Sequence, residues 1–325
     1  MTDRLDPARA VLVTGASGLV GRRVVALLAE EPGTVETIVA LDLAAVADDR
    51  RVDGVEYRVG DIRDPDLEGL LRGHGIDTVV HLAAIVTPGR DSSREHEFSV
   101  DVLGTQNVLE CALRAGVGHI IYTSSGAAYG YHADNPVPLR EGDALRGNPE
   151  FAYSDHKRQV EEMLERHRSE HPELGQLVFR PGTILGEQVA NPITAMFDRP
   201  LVIGVWGSDA PFSLIWDEDV ARCILKGVAE RRTGTYNLAG DGTIGLGEIA
   251  RRLAKPYVRL PGPVIAGALR ILRFLRLSRV GPETVKFLRH RPVLANDRLK
   301  AEFGYTPSTT SEACFERYRD LRFPR

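Results

Sequence analysis

The chain has 325 residues, of which 43% are hydrophobic and 26% charged, and its 41 basic and 45 acidic side chains leave a net charge of −4. With a mean hydropathy of −0.17, this composition excludes a disordered, a collagen-like or an integral membrane chain, and it lacks the basic excess of a dedicated nucleic-acid binder. The length suffices for one large core with a smaller lobe, or for two domains.

The first 180 residues alternate short apolar runs with helical patterns. Ala10–Thr14 reads as a buried strand, followed by a glycine turn and a helix over Leu19–Ala29. Further strands are predicted at Ile38–Asp42, Val55–Val59, Thr78–Leu82, His119–Thr123 and Gln176–Arg180. A charged helix is predicted over Tyr153–Glu170. Continuous apolar strands separated by helices imply a parallel sheet covered on both faces, and right-handed crossovers make that an α/β doubly wound, Rossmann-type fold. After Arg180 the pattern loosens. Asp217–Glu230 reads as a helix, Gly234–Ala239 as a strand, and Asn296 to the end as a helix-and-loop tail. The expected organisation is a dinucleotide-binding domain over 8–181, with 212–240 returning to it. Residues 182–211 and 241–325 then form a smaller C-terminal substrate lobe.

Three widely spaced cysteines, Cys111, Cys223 and Cys314, make neither a disulfide framework nor a zinc spacing. The first residues lack the apolar core of a signal peptide, and no run approaches the roughly twenty apolar residues of a membrane span. A cytoplasmic location is expected.

The first candidate site is the turn Thr14-Gly15-Ala16-Ser17-Gly18-Leu19-Val20-Gly21. Glycines there permit a tight turn and close backbone approach, and the helix that follows offers free N–H groups to a pyrophosphate. The second strand ends in Asp42, placed to accept hydrogen bonds from both ribose hydroxyls and to repel a 2′-phosphate. NAD is therefore expected over NADP, although Arg22 and Arg23 keep NADP open. No Gly-Lys-Ser/Thr follows the glycines, which excludes a Walker-type site.

The second candidate site is Tyr153-Ser-Asp-His-Lys157, with a phenol and an ammonium four residues apart on one helix face. A nearby ammonium favours the phenolate and is expected to lower the tyrosine pKa from about 10. The fifth strand ends in Ser124-Ser125, where a hydroxyl can hold a substrate oxygen while Tyr153 moves the proton. Only five lysines occur in the chain, and Lys157 is the only one before Lys226.

Together with Gly60-Asp61-Ile62, His81-Leu-Ala-Ala84, Thr123-Ser-Ser-Gly-Ala-Ala-Tyr-Gly130, Arg180-Pro181 and Gly234–Gly240, these motifs resemble the extended short-chain dehydrogenases/reductases of the NAD-dependent epimerase/dehydratase kind over nearly the full chain. The resemblance implies that Ser125, Tyr153 and Lys157 carry catalysis. It implies that Asp61 and Ile62 contact adenine, and that Leu82, Ala83, Ala84, Thr123 and Pro181 line the cofactor beside Gly15, Ser17, Gly18, Leu19, Val20, Gly21 and Asp42, with Tyr153 and Lys157 also touching it. It also implies a homodimer formed through a helical bundle.

Departures from the family narrow the chemistry. Gly126 and Ala127 stand where sugar-nucleotide 4,6-dehydratases have an Asp-Glu pair. Arg180–Gly186 replaces the Phe-Asn segment usual in nucleotide-sugar epimerases, and is closer to reductase-like members. Asp101 stands where the family generally has Asn. Three readings follow: an NAD-dependent oxidoreductase acting on an alcohol or ketone, an epimerase that transiently reduces bound NAD, and a non-catalytic NAD-binding regulator. The substrate is expected to be a small hydroxy or keto compound, sugar-derived or apolar.

His167 and His171 are read as solvated, so no metal is expected, and His156 is read as an exposed helix position. Tyr129 follows the serine too closely to be the base. Trp206, Phe212 and Trp216 are candidates for a pocket wall, with the core the plainer reading. Residues 263–280 combine Arg270, Arg273, Arg276 and Arg279 with Leu, Ile and Phe. Such a helix can lie on an anionic membrane or cover an apolar pocket. The favoured reading is an ordinary lobe helix with its arginines in water.

Overall fold

The computed structural model describes residues 6–89, 92–189, 191–275, 277 and 281–324. Strand β1 (Ala10–Thr14) passes through the glycine turn into α1 (Leu19–Glu30) and then β2 (Thr37–Asp42), β3 (Val55–Val59), α2 (Leu67–Gly73) and β4 (Thr78–His81). Helix α3 (Arg94–Phe98) runs through a π-helical stretch, Ser99–Gly104, into α4 (Thr105–Ala115). β5 (His119–Thr123), a 3₁₀ turn (Gly126–Tyr129), α5 (Ala152–Glu170) and β6 (Gly175–Pro181) follow. The remainder comprises β7 (Thr183–Leu185), α6 (Pro192–Phe197), β8 (Val202–Val205), β9 (Leu214–Trp216), α7 (Asp217–Glu230), β10 (Gly234–Leu238), α8 (Leu246–Arg252), β11 (Tyr257–Leu260), α9 (Gly262–Phe274), α10 (Thr284–Arg289) and α11 (Ser311–Arg322).

Seven strands form one parallel sheet in the order β10-β6-β5-β4-β1-β2-β3. Alternate residues feed two cores. Val11 and Val13 face one core with Val24 and Leu28 of α1 and Val220 and Ile224 of α7. Leu12 joins Val39 and Val79 against Val108 and Leu109 of α4 and Val160 and Leu164 of α5. Burial on both faces is why these strands read as unbroken apolar runs. The strand order reverses between β1 and β4, so a crevice opens beyond the carboxyl ends of these neighbours, the usual ligand position in open α/β sheets.

The strands of this sheet lie within a residue of their predicted limits. The structure adds β7, β8, β9 and β11, each three or four residues long and too short to show a period. β8 pairs with β11 and β7 with β9, outside the main sheet. A third core gathers Phe197, Phe212, Trp216, Phe315 and Tyr318. Phe212 and Trp216 are thus core residues while Trp206 is exposed, so the three do not form one pocket wall. The three cysteines are free and buried.

Candidate active site

Each part of the site hangs from the carboxyl end of a strand. At the end of β1, Gly15 adopts φ +67°, and a Cβ there would sit 2.7 Å from the backbone nitrogen of Ala83. A Cβ at Gly21 would lie 2.2 Å from the Gly15 carbonyl oxygen. Both positions require glycine because the turn packs backbone on backbone. Helix α1 begins with Leu19 and Val20 in its first turn, and no side chain caps the N–H groups there. Such an end favours an anion.

Asp42, at the end of β2, accepts hydrogen bonds from the N–H of Ser17 (2.9 Å) and Ala44 (3.2 Å). It borders a small cavity with Ala16, Ser17, Ala44, Tyr57 and Val59. Arg23 pairs with Glu218 of α7 at 2.8 Å. This glycine cradle, uncapped helix end and carboxylate fit the pyrophosphate and adenosine ribose of NAD.

Asp61 is held by Arg63, whose Nη2 donates at 2.6 Å and whose backbone N–H donates at 2.8 Å; the guanidinium keeps its carboxyl below the usual range. Ile62 is buried in the core, and its carbonyl accepts from Asn107 at 2.8 Å. Leu82, Ala83 and Ala84 follow β4 and are half-buried, with Ala83 against Gly15. Pro181 ends β6 and is buried.

Lys157 is almost fully buried, and its Nζ donates to the Tyr122 hydroxyl (2.9 Å) and the Thr123 carbonyl (2.8 Å). It also lies 4.5 Å from the Tyr122 ring centre and 5.8 Å from that of Tyr153. Burial pulls its pKa down to about 8, while the carboxylates of Asp101 and Glu161 act upward. The Ser125 hydroxyl acts to lower the pKa of Tyr153, yet burial pushes its phenol up to about 12. The expected lowering of the tyrosine pKa is therefore not found: desolvation outweighs the influence of the Ser125 hydroxyl. Ser125 also accepts from the N–H of Ala127 at 3.1 Å. The buried Thr123 hydroxyl has no partner.

His156 is not exposed as expected. It is 1% exposed, and its Nδ1 donates to Asp101 Oδ2 at 2.9 Å. Asp101 Oδ1 accepts from the N–H of Ile85 at 2.8 Å. Asp101 thus ties helix α5 to the segment after β4, from within the π-helical stretch. One sequence signal pointed there: His156 is three residues from Tyr153 and four from Val160, on the same buried stripe.

Around these residues lies a buried polar frame. Glu161 on α5 accepts from Arg180 (2.6 Å) and from the Ser124 hydroxyl (2.5 Å). Arg180 also donates to the Tyr129 hydroxyl at 2.8 Å, and Tyr129 donates to Asn237 Oδ1 at 2.9 Å. Tyr129 is thus a structural phenol, with its pKa pushed up to about 12 by burial.

Sequence reasoning missed Arg291. Its guanidinium lies 3.9 Å from the Phe212 ring centre and 4.4 Å from that of Phe287, and it donates to the Thr183 hydroxyl at 2.9 Å. Among the described residues no carboxylate pairs with it, and its buried Nη1 has no partner. Burial lowers its pKa to about 10. His167 and His171 stack at 5.7 Å, and the described residues hold no group of three candidate metal ligands.

The NAD dependent epimerase/dehydratase family model matches residues 11–239. The chain belongs to that family. It is accordingly an NAD-dependent enzyme. A protein of Mycobacterium tuberculosis (strain H37Rv), described only as uncharacterised, is 25% identical over 313 residues, covering 95% of this chain and 83% of its own. A UDP-glucose 4-epimerase of Halalkalibacterium halodurans is 32% identical over 158 residues, 48% of this chain and 45% of that one. The solved UDP-glucose 4-epimerase of Thermotoga maritima superposes with a TM-score of 0.74 at 20% identity, covering 96% of this chain and 98% of that one. That likeness establishes the fold.

Proposed function

We propose that this family member interconverts an alcohol and a ketone, with Tyr153 as proton donor and acceptor, Ser125 orienting the substrate oxygen and Lys157 fixing the charge beside them. The observation that carries this reading is the convergence of the three at the end of β5, with Lys157 anchored on Tyr122 and Thr123. NAD, when bound, supplies the hydride chemistry. The glycine turn and Asp42 would hold its pyrophosphate and ribose, and Lys157 its nicotinamide ribose.

At neutral pH Tyr153 is a protonated phenol, the form that donates to a carbonyl oxygen during reduction. In the opposite direction it must first lose that proton, and the Lys157 ammonium is the nearby charge that eases the loss. Ser125 can hydrogen-bond the same substrate oxygen, which fixes its distance from the phenol.

Tyr153→Phe should keep NADH binding, measured by fluorescence titration, and lose turnover by roughly 10²-fold or more. Undiminished turnover would sink the assignment.

Arg291 favours a second reading within the same chemistry. A half-buried guanidinium with an enclosed Nη1 and, among the described residues, no carboxylate partner suits a substrate with a phosphate or carboxylate, so an epimerase of a nucleotide-linked sugar is the alternative. NAD retained through purification, with turnover that needs no added NAD, supports the epimerase. A strict requirement for stoichiometric NAD or NADH supports the oxidoreductase.

A further inference from the structure

A helix at the edge of a soluble lobe normally buries its apolar stripe and shows water its charges. Helix α9 does this only in part. Ile265 and Leu269 pack against Val205, Val285 and Leu288. A second stripe, Val264, Ala268, Ile271 and Leu275, follows helical spacing and points away from that contact. Its members are exposed, and Phe274 beside it is 85% exposed and Leu277 just beyond is 72% exposed. Ile203 and Val258, register partners in β8 and β11, are exposed as well, and so is Trp206 at the end of that ribbon.

Charge distinguishes this region from the rest of an acidic chain. Between Glu248 and Glu283 there is no acidic residue, while Arg259, Arg270, Arg273, Arg276 and Arg279 fall after Pro256. Arg276 and Arg279 lie outside the described residues. Arg273 is paired with Glu283 at 3.3 Å and is still well exposed. No described helix is long and apolar enough to cross a membrane.

We propose that the α9 face docks on an anionic lipid bilayer, with Val264, Ile271, Phe274 and Leu275 entering the headgroup boundary and Arg270 and Arg273 meeting lipid phosphates. Exposed apolar residues interleaved with arginine are the composition that lies in such an interface. A second copy of the chain is the poorer occupant. A two-fold contact brings identical patches together, so the arginines of one copy would face those of the other across a stretch in which Glu283 is the one acid paired with them among the described residues.

Vesicle co-sedimentation of the full chain tests this. Binding to phosphatidylcholine vesicles carrying about one third phosphatidylglycerol should exceed binding to pure phosphatidylcholine by roughly tenfold and fall as salt rises. The double variant Ile271→Glu/Phe274→Glu should lose that binding while keeping its thermal transition, because both side chains are exposed. Trp216 is buried, so a blue shift of tryptophan emission on anionic vesicles reports Trp206. Equal binding to both vesicle types, no binding at all, or binding unchanged in the double variant would each overturn the proposal. So would a concentration-dependent dimer that the double variant dissolves without any vesicle binding, which assigns the face to self-association.

Discussion

Arg180 is buried and Arg291 is half-buried with its Nη1 enclosed, and the surroundings of the two guanidiniums differ in one respect. Arg180, on β6, meets Glu161 with 2.6 Å between Nη2 and Oε2 and has Tyr129 and the Glu141 carbonyl as further acceptors. Arg291, after α10, has two aromatic rings and one threonine hydroxyl but no carboxylate. The first guanidinium is neutralised inside the fold. The second meets no carboxylate among the described residues. A buried charge costs several kcal/mol unless paired, which sets Arg180 in the frame and makes Arg291 the candidate for substrate binding.

The largest expected effect comes from breaking the paired case. Glu161→Gln leaves Arg180 buried without its counter-charge and should cost ~3–5 kcal/mol in urea unfolding. A change below ~1 kcal/mol would mean that the two arginines are not different in kind. Arg291→Met should do the reverse. It removes an uncompensated charge, so stability should hold or rise, while the KM for a phosphate- or carboxylate-bearing substrate rises roughly tenfold or more through loss of charged hydrogen bonds. If the variant unfolds instead, Arg291 is a structural residue and the contrast fails.

Asp101→Asn probes a third cation, Lys157, whose pKa is near 8 and is raised by the Asp101 charge. Removing that charge should move the basic limb of the kcat profile to lower pH. Asparagine keeps an oxygen acceptor for the Ile85 N–H and offers an N–H to His156 in its other tautomer, so a purely structural role for Asp101 would leave the limb in place.

The smallest effect concerns two buried histidines kept neutral. Burial pulls His81 to about 3 and His119 to about 4, below the ordinary value near 6.5. The unfolded chain therefore binds these protons first as pH falls. Their contribution to stability is complete above about pH 6.5 and is lost progressively toward pH 4 and then pH 3. The urea midpoint should fall between about pH 7 and about pH 5, before most carboxylates titrate; a flat midpoint contradicts the shifts.

The same contrast explains what could be read from the sequence. The glycine turn, Asp42 and the strands were legible because each depends on a local constraint: a backbone conformation, a strand end, a run buried on both faces. The Tyr153–Lys157 spacing is likewise one helix turn. Arg180 was legible only as part of a motif, because Glu161 is on another element and the pair forms only when β6 and α5 meet. Asp101 and His156 are 55 residues apart, and each looks ordinary until the π-helical stretch turns the carboxylate inward. Arg291 carried no local mark. What singles it out is that no described acid pairs with it, a property of the packed molecule rather than of its neighbours in sequence.

Phe287 gives the smaller lobe a mechanical role. Its ring packs with Ile265 and Leu269 beneath α9, stands 5.1 Å from the ring of Tyr131, and lies against Arg291. The underside of α9 and the Arg291 guanidinium therefore touch the same ring, so a repacking beneath α9 reaches Arg291 and Tyr131 through Phe287 without involving the sheet.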